Sequence, residues 1–215
     1  MSFLRRQATR ASQASTQETK TEALPSRLLE HILTPLLERE DPLTVLDLGD
    51  GAAGTVDFFS SLICPTRLIF ADSPSLAASL KPTDPEDPPD FLDLVASWRS
   101  HLQMPDDTQL DLILLWDCLH LFEATAIEAL SSALQPHITS ATQGYGFGSL
   151  YSDQGLAASR YAIDSADSLA VRNPKEAAKL PFAHSQQTLT ENFICLRIAR
   201  GTLLREGHLE LLLEA

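Results

Sequence analysis

The sequence has little positive charge. Its 215 residues include 16 lysines and arginines against 29 aspartates and glutamates, so the net charge is −13 at neutral pH. Proteins bind nucleic acids largely by neutralising phosphates with lysine and arginine. We therefore expect no nucleic-acid partner, because no run of basic residues outweighs the general excess of acid.

Cysteine and long apolar runs are also scarce. The three cysteines, Cys64, Cys118 and Cys195, form no C-x-x-C pair, so neither a zinc site nor a disulfide framework is indicated. Two of them lie in apolar runs, where a reduced, buried thiol is usual, and this favours a cytoplasmic protein. No apolar run approaches the roughly 18 residues of a membrane span. We expect no metal and no membrane partner.

The first 24 residues contain few large apolar side chains. Three arginines precede the first acidic residue, Glu18. This composition predicts a disordered tail over residues 1–24, followed by one domain over residues 25–215. A mitochondrial presequence has a similar composition, so a targeting segment remains the alternative for the tail.

The sequence does contain a glycine-rich turn between a predicted strand, Thr44–Leu48, and a predicted helix, Val56–Leu62. The turn carries Gly49, Gly51 and Gly54. Glycine can adopt positive φ, and it lets a ligand approach the backbone closely. A strand, a glycine turn and a helix N-terminus can cradle a nucleotide-like ligand. A tight turn with no ligand is the alternative interpretation.

Two aspartates accompany this turn. Asp47 lies two residues before the first glycine, and Asp72 follows the next apolar run, Arg67–Ala71. An acid at the tip of the second strand of such a sheet is positioned to accept hydrogen bonds from ribose hydroxyls. The pattern therefore indicates a ligand that contains a nucleoside.

The stretch Val45–Ala53 resembles the first motif of the class I S-adenosylmethionine-dependent methyltransferases. That motif has two apolar residues, an acid and three alternating glycines, and Ala53 replaces the third glycine here. The resemblance implies S-adenosylmethionine as the cofactor. It also implies an α/β, Rossmann-like fold, with a seven-stranded, mostly parallel sheet, an antiparallel last strand and helices on both faces. The residues expected to contact the cofactor at this turn are Asp47, Gly49, Gly51 and Asp72.

The resemblance places the adenine at the end of a third strand, predicted at Phe91–Val95. Family members often have an acid there that binds the adenine amino group. This chain has Ser97 at that position, and Trp98 could offer an aromatic face to the adenine. A tryptophan packed in the core is the alternative for Trp98.

A fourth strand is predicted at Leu112–Trp116, because a continuous apolar run is typical of a central parallel strand buried on both faces. By the resemblance, Asp117 would lie near the cofactor and the methyl-transfer centre. His120 is the predicted general base. The alternative is a histidine that packs in the core.

The end of the chain distinguishes between families. Phe193–Ala199 and His208–Leu213 predict two strands joined so closely that they must be antiparallel. The class I methyltransferase sheet ends in such a hairpin, whereas a nicotinamide-binding domain would continue with parallel units. Before this hairpin, residues 152–183 predict a substrate lid, with Arg160, Tyr161 and Arg172 as candidates to bind an anionic substrate.

Together these features predict methyl transfer from S-adenosylmethionine to a small-molecule or protein acceptor. A catalytically inactive, methyltransferase-like binding or scaffold protein is one alternative, favoured by Ser97 and Ala53. A nicotinamide-dependent oxidoreductase is another. The sequence identifies neither the acceptor nor the oligomeric state.

Overall fold

The computed structural model describes residues 20–80, 89–150, 156–173, 179–204 and 208–215. The strands are β1 (Lys20–Pro25), β2 (Leu43–Asp47), β3 (Thr66–Phe70), β4 (Leu110–Trp116), β5 (Ile138–Ser149), β6 (Arg160–Ser165), β7 (Ser168–Asn173), β8 (Arg197–Leu203) and β9 (His208–Glu214). The α-helices are α1 (Arg27–Leu37), α2 (Ala53–Ser60), α3 (Ser73–Ser79), α4 (Phe91–Leu102), α5 (Ala124–Leu134) and α6 (Gln186–Asn192).

Six strands form a central sheet in the spatial order β3-β2-β4-β5-β9-β8. The first four of these are parallel to one another, whereas β9 is antiparallel to both β5 and β8. The expected Rossmann-like α/β fold and its antiparallel terminal hairpin are confirmed. The hairpin forms because the few residues between β8 and β9 cannot make a parallel crossover.

The expected count of seven strands is wrong for the described part of the chain. Phe91–Val95, the predicted third strand, is the beginning of α4. The side chain of Asp90 caps this helix by accepting a hydrogen bond from the Leu92 backbone N–H at 2.8 Å. The buried residues that follow, Leu94, Val95, Trp98 and Leu102, continue at helical spacing past the predicted strand end.

Strand β4 separates two hydrophobic cores. Leu112, Leu114 and Trp116 face one core, which also contains buried residues of α1 and α2. Ile113 and Leu115 face the other core, together with residues of α4, α5 and α6. The alternation follows from the two-residue period of a strand, and it explains why this strand is apolar on both faces. The sheet is thus covered by helices on both faces, as expected.

A second sheet of three antiparallel strands has the order β1-β7-β6. Its strand β1 begins at Lys20, so the predicted boundary of a disordered tail at residue 24 is wrong for the last residues of that range. Residues 1–19 lie outside the described part. Ser26 is the N-cap of α1. Its hydroxyl accepts a hydrogen bond from the Leu29 N–H at 2.8 Å.

Ser26 also joins this region to the central sheet. Its hydroxyl donates to the carboxylate of Glu210 in β9, which also accepts from the Tyr145 hydroxyl of β5. All three residues are buried. None of the helices in the described part of the chain has the length and hydropathy of a membrane span.

A pair of truncations tests the role of β1. Removing residues 1–25 deletes the whole strand and should lower Tm by roughly 5 °C or more, because β7 loses one of its two neighbouring strands. Removing residues 1–19 keeps β1 and serves as the matched control, for which we expect a Tm close to that of the full chain. Equal melting temperatures for the two truncations, measured by circular dichroism, would contradict a stabilising role of β1.

Candidate functional site

A cleft of about 410 Å³ lies at the carboxyl ends of β2 and β4. In the sheet, β2 has β3, the next strand of the chain, on one side and β4 on the other. Ligands of open α/β sheets bind at such a switch point, and the volume suits a small molecule. The lining residues come from four segments, which are 47–50, 72–75, 116–118 and 158–161, together with Leu121 and Leu180.

Asp47 holds the glycine turn in place by a hydrogen bond to its backbone. One carboxylate oxygen, Oδ1, accepts hydrogen bonds from the Gly49 N–H at 2.8 Å and from the Trp116 indole N–H at 2.7 Å. Asp47 is only 1% exposed, and this burial raises its pKa above the ordinary value. The carboxylate therefore holds two elements of the protein together, one from each strand that borders the cleft.

Trp116 forms one wall of the cleft. Its backbone has a φ of +50°, which is unusual for a residue other than glycine and turns the chain sharply at the end of β4. The indole stacks on the ring of Tyr161 with centroids 5.6 Å apart, and Tyr161 stacks in turn on Phe147 at 4.5 Å. Trp116 and Tyr161 thus line the cleft, and Phe147 packs against the far side of this aromatic stack. The sequence named Tyr161 as a candidate to bind the substrate but predicted neither Trp116 nor Phe147 near the site, although Trp116 directly precedes the predicted site residue Asp117.

Contacts within the chain explain the glycines of the turn. A Cβ atom on Gly49 would lie 2.8 Å from Trp116 Cδ1, and one on Gly54 would lie 3.1 Å from the Ile163 carbonyl oxygen. Gly51 has a φ of +66° and lies against Phe70. Gly49 lines the cleft, whereas Gly51 is not among the lining residues. The turn needs its glycines whether or not a ligand binds.

Asp72 lies at the rim of the cleft, as the sequence predicts. It is the N-cap of α3, where Oδ1 accepts from the Ser75 N–H at 3.1 Å and Oδ2 from the Ser75 hydroxyl at 2.5 Å. These hydrogen bonds lower the pKa of Asp72, so it is ionised at neutral pH. The carboxylate is exposed and keeps further lone pairs for a ligand.

Asp117 follows β4 and also lines the cleft. Burial raises its pKa to about 6, although the Ser159 N–H donates to its Oδ2 at 3.3 Å. A carboxylate with a pKa near the working pH can accept a proton from an acceptor group. The adjacent thiol of Cys118 has a pKa well above its ordinary value, because it is buried, and it stays neutral.

His120, the predicted general base, does not line the cleft. It is fully buried in a short 3₁₀ turn, Cys118–Leu121, and its Nδ1 accepts from the His184 N–H at 3.1 Å. Burial, with a smaller contribution from the nearby His184, lowers the pKa of His120 to about 4. A general base must come within hydrogen-bonding reach of the substrate, so the core-packed alternative describes this histidine.

Ser97 and Trp98 lie in α4, away from the cleft. Trp98 is completely buried, and its indole N–H donates to the Ala126 carbonyl oxygen at 2.9 Å. Ser97 faces a separate shallow depression. The predicted contacts of these two residues with adenine are therefore wrong, because the segment that precedes them is a helix and not a strand.

No protein-family model and no curated protein sequence matches this chain. Solved structures are similar to it in shape. One is the glycopeptide N-methyltransferase MtfA complexed with S-adenosylmethionine, at 12% identity and a TM-score of 0.44, with 86% of this chain and 92% of that chain covered.

Two further structures have the same TM-score of 0.44. The 1,6-didemethyltoxoflavin-N1-methyltransferase of Burkholderia thailandensis is 16% identical, with 87% of this chain and 76% of that chain covered. A TehB-like methyltransferase of Corynebacterium glutamicum is 8% identical, with 87% and 86% covered. Similarity at this level transfers neither a substrate nor the role of any residue. The strand order and the antiparallel β9 themselves give this chain a class I methyltransferase-like fold.

The raised pKa of Asp117 predicts a pH-dependent stability. The native state binds this proton more tightly than the unfolded state, so the contribution of Asp117 is largest at low pH and is lost as the pH rises through about 6. Between pH 5 and pH 8, Asp117→Asn should therefore gain about 1 kcal/mol of unfolding free energy relative to the wild type.

Urea unfolding at the two pH values measures this difference. Asp57→Asn, on an exposed position of α2, is the control for the loss of one acidic side chain outside the cleft. A constant difference between Asp117→Asn and the wild type would refute the assignment.

A double-mutant cycle tests the bond between Asp47 and Trp116. The variants are Asp47→Ala, Trp116→Phe and their combination, measured by urea unfolding. We expect a coupling energy of about 1–2 kcal/mol, because the first change leaves a buried indole N–H without its acceptor and the second removes that donor. Additive effects would show that the two side chains act independently.

Proposed function

We propose that the cleft binds S-adenosylmethionine and that this chain transfers the methyl group to a small-molecule acceptor. The observation that carries the proposal is the position of two different carboxylates in one cleft. Asp72 lies at the rim after β3, and Asp117 lies in the interior after β4. The first is ionised, as ribose binding requires, and the second has a pKa of about 6, which suits a base.

The residues of the cleft fit this cofactor at its ribose and methionyl parts. Asp72 would accept hydrogen bonds from the ribose hydroxyls, and the backbone of Gly49 and Asp50 would face the methionyl part. On the adenine side, Pro74 and Leu121 offer apolar contacts in place of the predicted Ser97 and Trp98. When bound, the cofactor supplies a sulfonium methyl group that needs little further activation.

The protein would then contribute orientation and a proton acceptor. Holding the acceptor in line with the methyl group contributes much of the rate of such a transfer. Asp117 would take the proton that the acceptor loses as its new bond to carbon forms. The stacked rings of Trp116 and Tyr161 would exclude water from the inner end of the cleft.

A second candidate function is a methyltransferase-like binding protein without catalysis. The observation that favours it is the indole of Trp116, which lies directly against Gly49 and occupies space beside the turn. In this case the cleft would bind a smaller ligand than S-adenosylmethionine, or none. A nicotinamide-dependent oxidoreductase has no comparable support from the geometry.

Calorimetric titration with S-adenosylmethionine, S-adenosylhomocysteine and NAD separates these functions. We expect binding of the first two and none of NAD. Absence of heat and of a thermal shift at millimolar concentrations of both sulfur compounds would contradict the proposed function and favour the non-catalytic candidate.

Variants of Asp72 test the ribose contact. Asp72→Ala should weaken binding of S-adenosylhomocysteine roughly 10- to 150-fold, because a charge-assisted hydrogen bond is lost. It should also cost about 1 kcal/mol of stability, because Asp72 is the N-cap of α3. Asp72→Asn keeps an efficient cap and removes only the charge, so its Tm should stay near that of the wild type while binding weakens.

Asp90→Asn is the matched control for Asp72→Asn. Asp90 is the N-cap of α4, where it accepts from the Leu92 N–H, and it does not line the cleft. We expect an affinity within a few-fold of the wild type. Wild-type affinity in Asp72→Asn would show that the ribose binds elsewhere.

A further inference from the structure

The hairpin of β6 and β7 places two arginines directly opposite each other. Arg160 and Arg172 are register partners, and the next pair on the same face is Ala162 and Ala170. The residues between them, including Tyr161, point to the other face and enter the core. Like charges in directly opposed positions destabilise a hairpin. Such a pair becomes favourable when an anion lies between the two guanidinium groups.

The face that carries these arginines forms one wall of a cavity. The cavity has a volume of about 130 Å³, and both arginines and both alanines line it. The cavity is also lined by Asp50 and by residues 52–54, which are the N-cap and the first two residues of α2. The small alanine side chains leave room between the guanidinium groups. Two arginines and one aspartate are therefore the charged residues that line this cavity.

This cavity adjoins the proposed cofactor cleft. Asp50, Arg160 and Tyr161 line both spaces. A molecule that reaches from one space into the other would pass beside Arg160. A group bound in the cavity could thus belong to the same molecule that presents a nucleophile near Asp117, or to the cofactor itself.

The charges of the cavity favour an anion. Arg160 pairs with Asp50, with its Nε 3.2 Å from Oδ2. Arg172 has no ion pair with the part of the chain that the structure describes. Within the described residues, the positive charge of Arg172 is therefore uncompensated, in a chain with a net charge of −13. The first turn of α2 adds backbone N–H groups, because Ala52 at its N-cap has no side chain that could bind them.

We propose that this cavity binds the carboxylate or phosphate of the methyl acceptor, which is thus an organic anion. The inference rests on the proposed function and specifies its substrate class. The carboxylate of the cofactor's methionyl part has the same chemistry, so the experiment must distinguish the two sources.

The test is a calorimetric titration of the complex with S-adenosylhomocysteine, using inorganic phosphate and benzoate as probes. Arg172→Gln removes the uncompensated charge and keeps the pair of Arg160 with Asp50. Arg99→Gln, on an exposed position of α4, is the matched control for the loss of one positive charge. Since Arg172 is exposed, its variant should fold with a Tm equal to or above that of the wild type.

We expect wild type and Arg99→Gln to bind at least one probe with equal affinity, and Arg172→Gln to bind it roughly tenfold more weakly. Affinity for S-adenosylhomocysteine should be the same in all three proteins. Probe binding that does not change in Arg172→Gln, or no probe binding by the wild type, would overturn the proposal.

5′-Methylthioadenosine, which lacks the carboxylate, distinguishes the sources. If Arg172→Gln loses affinity for S-adenosylhomocysteine but not for 5′-methylthioadenosine, the cavity binds the cofactor's own carboxylate and the proposal for the acceptor is overturned. If the wild type binds neither sulfur compound, the proposed function fails. Probe binding to the free protein that is lost in Arg172→Gln would still support the anion site in that case.

Discussion

The hydrogen bonds of the Asp47 carboxylate determine the form of the candidate site. One buried oxygen accepts from Gly49 in the turn after β2 and from Trp116 at the end of β4. The two strands are neighbours in the sheet, so this oxygen fixes the distance between the segments that leave them. An unpaired N–H at this depth would be costly, and the arrangement is therefore specific. Asp47 acts on the shape of the cleft and has no need to touch a ligand.

Trp116, whose indole N–H donates to Asp47, is one of the aromatic residues that line the cleft. Because the indole stacks on Tyr161, it connects the central sheet to the smaller sheet that carries β6. The same strand contributes Arg160 to the rim of the cleft and to the neighbouring cavity. The three-stranded sheet β1-β7-β6 thus contributes residues to the site. Aromatic rings and the carboxylates of Asp47 and Asp117 therefore line the interior of the cleft, and Arg160 adds a positive charge at the rim, which suits a ligand with an aromatic or alkyl part and an anionic group.

Burial shifts the pKa values of Asp117 and His120 in opposite directions. Asp117 and His120 are three residues apart, yet only Asp117 reaches the cleft. The pKa of Asp117 rises to about 6 and that of His120 falls to about 4, because burial disfavours the charged form of each. Residue type alone favours histidine as a base at neutral pH. In this structure Asp117 is nevertheless the better candidate base, because it lines the cleft and His120 does not.

The sequence alone determined the strand, glycine turn and helix around Asp47, the central strand before Asp117 and the antiparallel hairpin of β8 and β9. These are local patterns, in which hydrophobic period, glycine positions and loop length suffice. Only the tertiary structure decided that the segment from Phe91 is a helix, that Trp98 and His120 are buried, and that Trp116 lines the cleft. A short apolar run such as the one from Phe91 fits a strand or a buried helix equally well, so its sequence does not decide between them. Whether a side chain is buried depends on residues that are distant in the chain and pack against it.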